Sequence, residues 1–574
     1  SHTVNDSVIY TPIVIDRNHA FTKVDGVLFK QMLKMLSLDF ICNYDSLILK
    51  DTKKINKLAF ALDMAVAGRS DESVWIRQAQ EIRKQMTDSL IDSAFTYLPE
   101  GVKHDEIELI KRKLKRRRLE LEAVASQYYR LLQRTPVVAG TNQSDYFLIE
   151  RQAPDRTILR IYDPETGDCR LEQQFSGRET KELWLYGLAG NDTFEVKGNT
   201  RKDFPIYLIS GEGENQYQLN HNRKIHVYDK DYKYDYQKIK YHKISFTPWG
   251  IYDSDKGISL GTFFTYTMYG FKRAPFTYQH RIGYNYLKGF MYAGVFPNYD
   301  GRRRLYLNAS ISSPRNFENF FGFGNNTAGY KEEKKNYNRV KLRTYMLNPS
   351  FEMDLRKEEV VTFFGSLDMY KAKRTDDRYI YTVYGEDHPI FRTNYFVGLG
   401  ATYRITKQPY SWLPLLETEW TAGWKMNLKK PERNFPYAQG SLSWNVRFSD
   451  RFTWASLMKG TVLFDNDYEF YQAATIDLRG FRDNRFIGKQ SFYQYSDLRL
   501  DMGKLKNPFT PLKYGLFAGF DYGRVWFPGE RSHSWHTSYG GGIWLTFLNK
   551  FTTKYSWFGS TDSFRFAFEL GLGF

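Results

Sequence analysis

Two cysteines in 574 residues, Cys42 and Cys169, are too few and too far apart for a disulfide framework or a CxxC motif. The run Phe40-Ile41-Cys42 reads as a buried thiol. No stretch of 18 apolar residues occurs, which excludes a helical membrane anchor. HExxH, GxSxG and P-loop motifs are missing, and no His/Asp metal cluster stands out, so catalytic chemistry is not signalled within this chain. Acidic residues are in deficit, 65 against 82 basic ones, for a net charge of +17. No nucleic-acid motif accompanies that excess, so nucleic acid is not an expected partner; anionic lipid head groups or a solvated surface account for the charge. Neither an initiator Met nor a signal peptide stands at the start, so the chain reads as processed or trimmed, with further sequence expected upstream.

Aromatic residues, by contrast, are abundant: 43 Tyr, 44 Phe and 12 Trp, alongside 42 Gly. Combined with a mean hydropathy of -0.57, this suits a transmembrane β-barrel, whose strands alternate lipid-facing and lumen-facing side chains. The last eleven residues, Phe564 to Phe574, carry apolar side chains at every even position and Arg, Ala, Glu, Gly and Gly at the odd ones. Successive strand residues face opposite ways, so this segment is apolar on one side only. A terminal Phe574 in such a strand is how bacterial outer-membrane barrels end.

Three zones separate along the chain. Residues 1–135 are read as a helical region, with Met32, Met35, Leu36 and Phe40 at helical spacing, a helix from near Asp71 to Leu98, and a third from near Asp105 that stops before Pro136. The basic run Lys111 to Arg118 is read as a solvated helix face, contact with phosphate-bearing lipid being the alternative. Residues 136–242 are read as a β-rich domain of short strands joined by glycine turns. Two of these, Gly187 to Asp192 and Gly211 to Asn215, are similar to the calcium-binding turns of parallel β-helices; as degenerate copies they are taken for plain connections. From 243 to 574 the chain becomes a meander of about sixteen strands, an even number. With Phe574 on the periplasmic side, the long connections near 313–336, 375–388 and 466–490 all face outside, and both barrel ends lie together. The fold class expected is therefore a transmembrane antiparallel β-barrel behind a soluble α-helical plus β-rich region.

The connection at 466–490 contains Leu478-Arg479-Gly480-Phe481-Arg482-Asp483-Asn484-Arg485-Phe486-Ile487-Gly488, and Tyr495-Ser496-Asp497-Leu498-Arg499 and Gly519-Phe520-Asp521-Tyr522-Gly523 follow. Strand alternation points both Asp497 and Asp521 into the lumen, where Arg479 could form a bidentate bond with one of them. Gly480 is expected to permit a tight tip, and Gly519 and Gly523 to clear space beside the carboxylate. In its order this segment resembles the BamA / two-partner-secretion transporter superfamily, the bacterial surface antigen barrels, marked by an Arg-Gly-Phe/Tyr loop folded into the lumen. That resemblance covers about 243 to 574. It implies a bacterial outer-membrane location, a periplasmic N-terminal region, and work in protein insertion or translocation or as an accessory to the outer-membrane assembly machinery. Outer-membrane lipids and other outer-membrane or periplasmic proteins of assembly or secretion are the implied partners. Arg479, Gly480 and Phe481 would then hold the loop against Asp497 or Asp521. No serial strand–helix–helix–strand units precede residue 243.

Ile13 to Phe21 with Asp25-Gly26, Leu114 to Arg118, Tyr128-Tyr129, Glu179 to Glu182 and Gly190-Asn191-Asp192 resemble segments of Bacteroidetes-type outer-membrane proteins of the metallophosphoesterase-associated kind. In that pattern the first segment reads Asp-Arg-Asp and looks like a metal-binding stretch of kinase-like folds. Here Asn18 stands two residues after Asp16, and losing a carboxylate weakens divalent-cation binding. No cofactor is therefore expected, with calcium or magnesium at Asp16, Asn18, Asn191 or Asp192 as the one exception to test. The alternative function is a barrel-anchored phosphoesterase or kinase-like enzyme whose catalytic part lies upstream.

Overall fold

The computed structural model describes residues 2–4, 7–9, 21, 30, 33, 40–98, 104–152, 154–198, 203–219, 224–228, 232, 234–240, 242–253, 255–298, 301–327, 336–375, 377–407, 416–505, 512–547 and 551–572. Asp16, Asn18 and Phe574, and the helical spacing of Met32, Met35 and Leu36, lie outside them. Two compact units are present, one of 1–241 with 269–272, the other of 242–268 with 273–574.

In the first unit, a short hairpin of β1 (His2–Val4) and β2 (Ser7–Ile9) precedes the helices α1 (Thr52–Ile55), α2 (Phe60–Val66), α3 (Glu72–Gln85), α4 (Asp88–Ala94), α5 (His104–Arg118) and α6 (Leu121–Leu132). Each of the two long helices expected is broken in two. Thr87 takes an extended backbone and its side chain accepts from the Leu90 N–H, starting α4 afresh. Leu119 and Glu120 turn the chain between α5 and α6, and the Glu120 carboxylate accepts from the N–H groups of Ile48 and Leu49. The basic run on α5 is largely engaged rather than simply solvated. Lys115 pairs with Asp92 at 2.7 Å, Arg118 with Asp88 at 2.8 Å, Lys113 donates to the Tyr44 carbonyl, and Arg117 lies over the Tyr44 ring.

Two sheets follow. One has the order β10-β8-β4-β5-β6, made of β4 (Tyr146–Gln152), β5 (Arg156–Tyr162), β6 (Cys169–Ser176), β8 (Thr193–Gly198) and β10 (Gln216–Leu219). The other has the order β11-β9-β7-β3 and is all parallel: β3 (Val137–Ala139), β7 (Leu183–Tyr186), β9 (Ile206–Ile209) and β11 (Ile225–Tyr228). Three strand–turn–strand rungs, β3 to β4, β7 to β8 and β9 to β10, therefore stack in parallel register. Phe147, Phe194 and Tyr217 lie over one another along the stack, with ring centroids 4.6 and 5.7 Å apart, each such contact contributing about 0.5–1.5 kcal/mol beyond its buried area. The sheets enclose Ile149, Leu159, Leu185 and Leu208, and Phe60, Met64, Tyr128 and Leu132 of α2 and α6 cover the outer side of the parallel sheet. Cys42 is half-buried, not buried, and Cys169 is exposed; neither forms a disulfide.

The second unit is an antiparallel β-barrel. Its long strands are β12 (Lys243–Asp253), β13 (Gly257–Met268), β14 (Tyr278–Asn285), β15 (Gly289–Pro297), β16 (Arg303–Ser312), β18 (Arg339–Arg356), β19 (Glu359–Ala372), β20 (Asn394–Lys407), β21 (Leu416–Asn427), β22 (Asn434–Arg447), β23 (Phe452–Leu463), β26 (Gln490–Leu505), β27 (Leu512–Trp526), β28 (His536–Phe547), β29 (Phe551–Gly559) and β30 (Phe564–Leu572). Neighbours in sequence pair in order, and the sheet returns on itself where β12 meets β30 at Tyr252↔Phe568 and Asp253↔Ala567. The short β17 (Phe317–Asn319) pairs with the top of β18, and β24 (Ala474–Thr475) pairs with β25 (Ile487–Gly488). The outward face of the wall is apolar and uncovered over most of its height, with Ile244 76%, Leu260 63%, Leu399 62% and Trp420 60% exposed. Such a continuous apolar exterior is the surface of a membrane-spanning barrel. No helix among the described residues is long and apolar enough to cross a membrane.

The described parts of the long connections 313–338, 373–393 and 464–489 meet at one end. Phe320, Ile380 of α7 (Tyr379–Tyr384), Ile390, Phe391, Phe470 and Ile487 form an apolar cluster there with Val340, Leu342, Tyr370 and Phe396 of the wall.

Candidate functional site in the barrel lumen

The connection between β23 and β26 enters the lumen as the β24–β25 hairpin, and its tip is closed by Phe481 N–H donating to the Leu478 carbonyl at 2.9 Å. Ile476, Leu478, Phe481 and Phe486 pack against Tyr493 and Val525 of the wall, which fixes the tip before any charge is considered. The Phe486 ring stacks on His536, with centroids 3.5 Å apart.

Arg479 is thereby aimed at β26 and β27, and it meets both sequence-predicted acids rather than one. Its Nε lies 3.1 Å from each Asp521 carboxylate oxygen, its Nη2 also bonds Asp521, and its Nη1 is 2.6 Å from Asp497 Oδ1. The Arg479 backbone N–H donates to Asp521 Oδ2 at 3.1 Å, as does Ser538 Oγ at 2.8 Å. The guanidinium lies 3.9 Å from the centre of the Phe558 ring. Asp521 is fully buried and Asp497 is 3% exposed, so Asp521 depends on Arg479 for countercharge. Asp497 has two further cations, Lys554 at 3.5 Å and Arg499 at 3.6 Å.

The glycines act by close approach. A Cβ on Gly519 would sit 2.7 Å from Arg479 Nη2, Asp497 Oδ1 and the Phe558 ring. One on Gly480 would meet Ser538 and Ser560 at 2.7 and 2.9 Å; the backbone of Gly480 is not left-handed, so room beside β28, not turn conformation, is what it supplies. Gly523 differs from expectation: a Cβ there would strike Tyr493, not a carboxylate.

Further contacts extend the site beyond the residues foreseen. Arg482 pairs with Asp255 at 2.5 Å, Lys256 with Asp483 at 2.9 Å, and Arg485 with Asp562. The Gly480 carbonyl accepts from Ser560 Oγ at 2.7 Å, and the Phe481 carbonyl from Arg565. The tip therefore bridges the lumen from β26 and β27 to the turns after β12 and β29. Arginines at 479, 482 and 485 recur every third residue, a signal visible in the sequence. Between the hairpin and the wall remain cavities of about 520, 260 and 300 Å³.

Asn191 and Asp192 belong to the first unit and take no part here. They brace the stacked turns: Asp192 Oδ1 accepts from the Asp145 N–H at 2.9 Å, Asn215 Oδ1 from the Asp192 N–H, and Asn191 Oδ1 from the Glu214 N–H. Burial pushes the Asp192 carboxyl up to about 7. Among the described residues no group of three His, Cys, Asp or Glu is placed to hold a metal ion.

No family model matches the chain, and no curated protein matches it by sequence. Solved structures similar to it include BamA from Haemophilus ducreyi lacking POTRA domains 1-3, at 12% identity over 58% of this chain and 70% of that one, with a TM-score of 0.41. CdiB from Escherichia coli is 10% identical over 62% and 66%, with a TM-score of 0.37. CdiB from Acinetobacter baumannii is 11% identical over 59% and 66%, with a TM-score of 0.34. The chain thus spans about two thirds of the length of these structures.

Proposed function

We propose that this chain lies in a bacterial outer membrane, with residues 1–135 and 136–242 on the periplasmic side, and that its barrel assists the insertion or translocation of other polypeptides. The observation that carries the reading is Arg479 held by Asp521 and Asp497 at once, at the tip of a loop folded into the lumen. A wall-bound loop closes the barrel at rest through polar contacts that can be exchanged for others, which suits a barrel that handles a guest and not a permanently open channel. Gly480 and Phe481 seat the tip against the wall. On this reading the chain works beside other outer-membrane or periplasmic proteins of assembly or secretion. The resemblance of its N-terminal motifs to Bacteroidetes-type barrels of the metallophosphoesterase-associated kind supports reading Asp16 and Asn18 as a structural remnant of an enzyme-like region.

Proteoliposomes holding the full chain should speed the folding of a urea-unfolded outer-membrane barrel protein, read by its heat-modifiable gel mobility. Rates equal to those in protein-free liposomes would overturn the proposal.

A further inference from the structure

The exterior of the barrel is apolar over most of its height but changes character at the end where the long loops gather. In β18 the alternation that turns Tyr345, Leu347 and Phe351 outward also turns Lys341 and Arg343 outward; in β19 the face carrying Phe363 and Leu367 continues to Lys371, with Lys373 just beyond. All four cations are exposed. The register sets Arg343 directly opposite Lys371, and the Lys373 N–H bonds the Lys341 carbonyl. Like charges facing each other across an antiparallel ladder repel. Other cations of the barrel do meet carboxylates, as Lys425 meets Asp368 at 2.7 Å and Arg304 meets Glu352 at 2.7 Å. Among the described residues, none of these four has an ion-pair partner. The basic excess is concentrated in the same unit, since 45 of the 82 basic but 30 of the 65 acidic residues fall from 243 onward.

Four cations so placed form a rectangle of roughly 5 by 7 Å, the cross-strand and same-face spacings of a sheet, which matches one or two phosphate groups. Immediately below stand Tyr345 and Tyr395, 41% and 42% exposed, and then the apolar belt. Tyrosine is the side chain favoured where hydrocarbon gives way to head groups. A ligand that satisfies both halves of this face carries phosphate at one end and acyl chains at the other. We infer that Lys341, Arg343, Lys371 and Lys373 bind the phosphorylated head group of a membrane lipid in the leaflet on the loop side. The inference rests on the membrane-spanning reading of the barrel and adds to it a specific site.

The test uses the full chain in detergent micelles, titrated with a diphosphorylated glycolipid or with a zwitterionic phosphatidylcholine and read by native mass spectrometry. A cation near a membrane surface contributes on the order of 1 kcal/mol, so the variant K341Q/R343Q/K371Q/K373Q should bind the phosphorylated lipid at least about tenfold more weakly. The loss should shrink as salt rises. Arg303→Gln with Lys407→Gln, removing two outward cations from the opposite ends of β16 and β20, should leave binding unchanged, and heat-modifiable mobility should show each barrel intact. Equal retention by wild type and variant, or equal retention of the two lipids, would overturn the inference. So would displacement of the lipid by millimolar inorganic phosphate alone, which would mark a site for free anions. A chain that stays soluble without detergent would instead refute the membrane reading beneath it.

Discussion

Replacing Arg479 with Ala removes, among the described residues, the only side-chain cation bonded to Asp521 and one of three beside Asp497. Stripping one partner from a buried ion pair costs about 3–5 kcal/mol, because the remaining charge stays desolvated. The lower end applies here, since the Arg479 side chain keeps 17% of its exposure and Ser538 still donates to Asp521. A bias of that size shifts the balance between seated and released loop by roughly two orders of magnitude. In planar bilayers the wild-type chain should be mostly closed, and Arg479→Ala should show frequent, larger openings together with faster protease nicking within 464–489. Adding Asp521→Asn to Arg479→Ala removes the stranded carboxylate, so thermal stability should recover in part while the openings persist. Asp497→Asn alone should be the milder lesion, because Lys554 and Arg499 then lose one acid but Asp521 keeps its cation. Currents from Arg479→Ala indistinguishable from wild type, or strictly additive stability losses in the double variant, would refute this account of the lumen.

Two further outcomes follow from the same geometry. Gly519→Ala should unseat the loop and cost about 1–3 kcal/mol, read as a lower heat-modifiability temperature, whereas Gly365→Ala, whose nearest neighbour is 3.6 Å away, should be neutral. Asp192 retains its proton in the folded chain up to about pH 7 but would lose it near its ordinary value when unfolded; the folded state then binds more protons, so local stability falls as pH rises from about 4 to about 7, by up to about 1.4 kcal/mol per pH unit. Hydrogen exchange of the β8 amides, corrected for intrinsic rate, should show that slope, and Asp192→Asn should flatten it; an unchanged slope would show that another group titrates.

The barrel strands were legible because each is long and keeps a strict two-residue alternation. Arg339–Arg356, for instance, alternates covered and exposed side chains over most of its 18 residues. The directions of Asp497 and Asp521 follow from the same alternation. The parallel stacking of the first unit was signalled only by the recurring turns Gly187 to Asp192 and Gly211 to Asn215, read as plain connections; its strands conceal it, since Leu183–Tyr186 is buried at all four positions and shows neither a face nor a partner. Breaks within the helices depend on single residues, Thr87 and Glu120, whose capping and long-range bonds leave the apolar spacing undisturbed. That Arg479 reaches two acids, and that Gly480 is small for the sake of Ser538 and Ser560, depends on strand register, which no local pattern encodes.

The threefold arginine spacing of the lumen loop has an electrostatic corollary. Arg479, Arg482 and Arg485 neutralise Asp497, Asp521, Asp255 and Asp562, all of them fixed to strands or tight turns. When the loop withdraws, Asp497 keeps Lys554 and Arg499 and Asp255 keeps Arg339, so the wall is left with its charge locally balanced there. Asp521 and Asp562 are the two carboxylates that give up their arginine, so the cost of opening is concentrated at those two points of the wall and a cation arriving there with a guest polypeptide would take the place of the departed guanidinium.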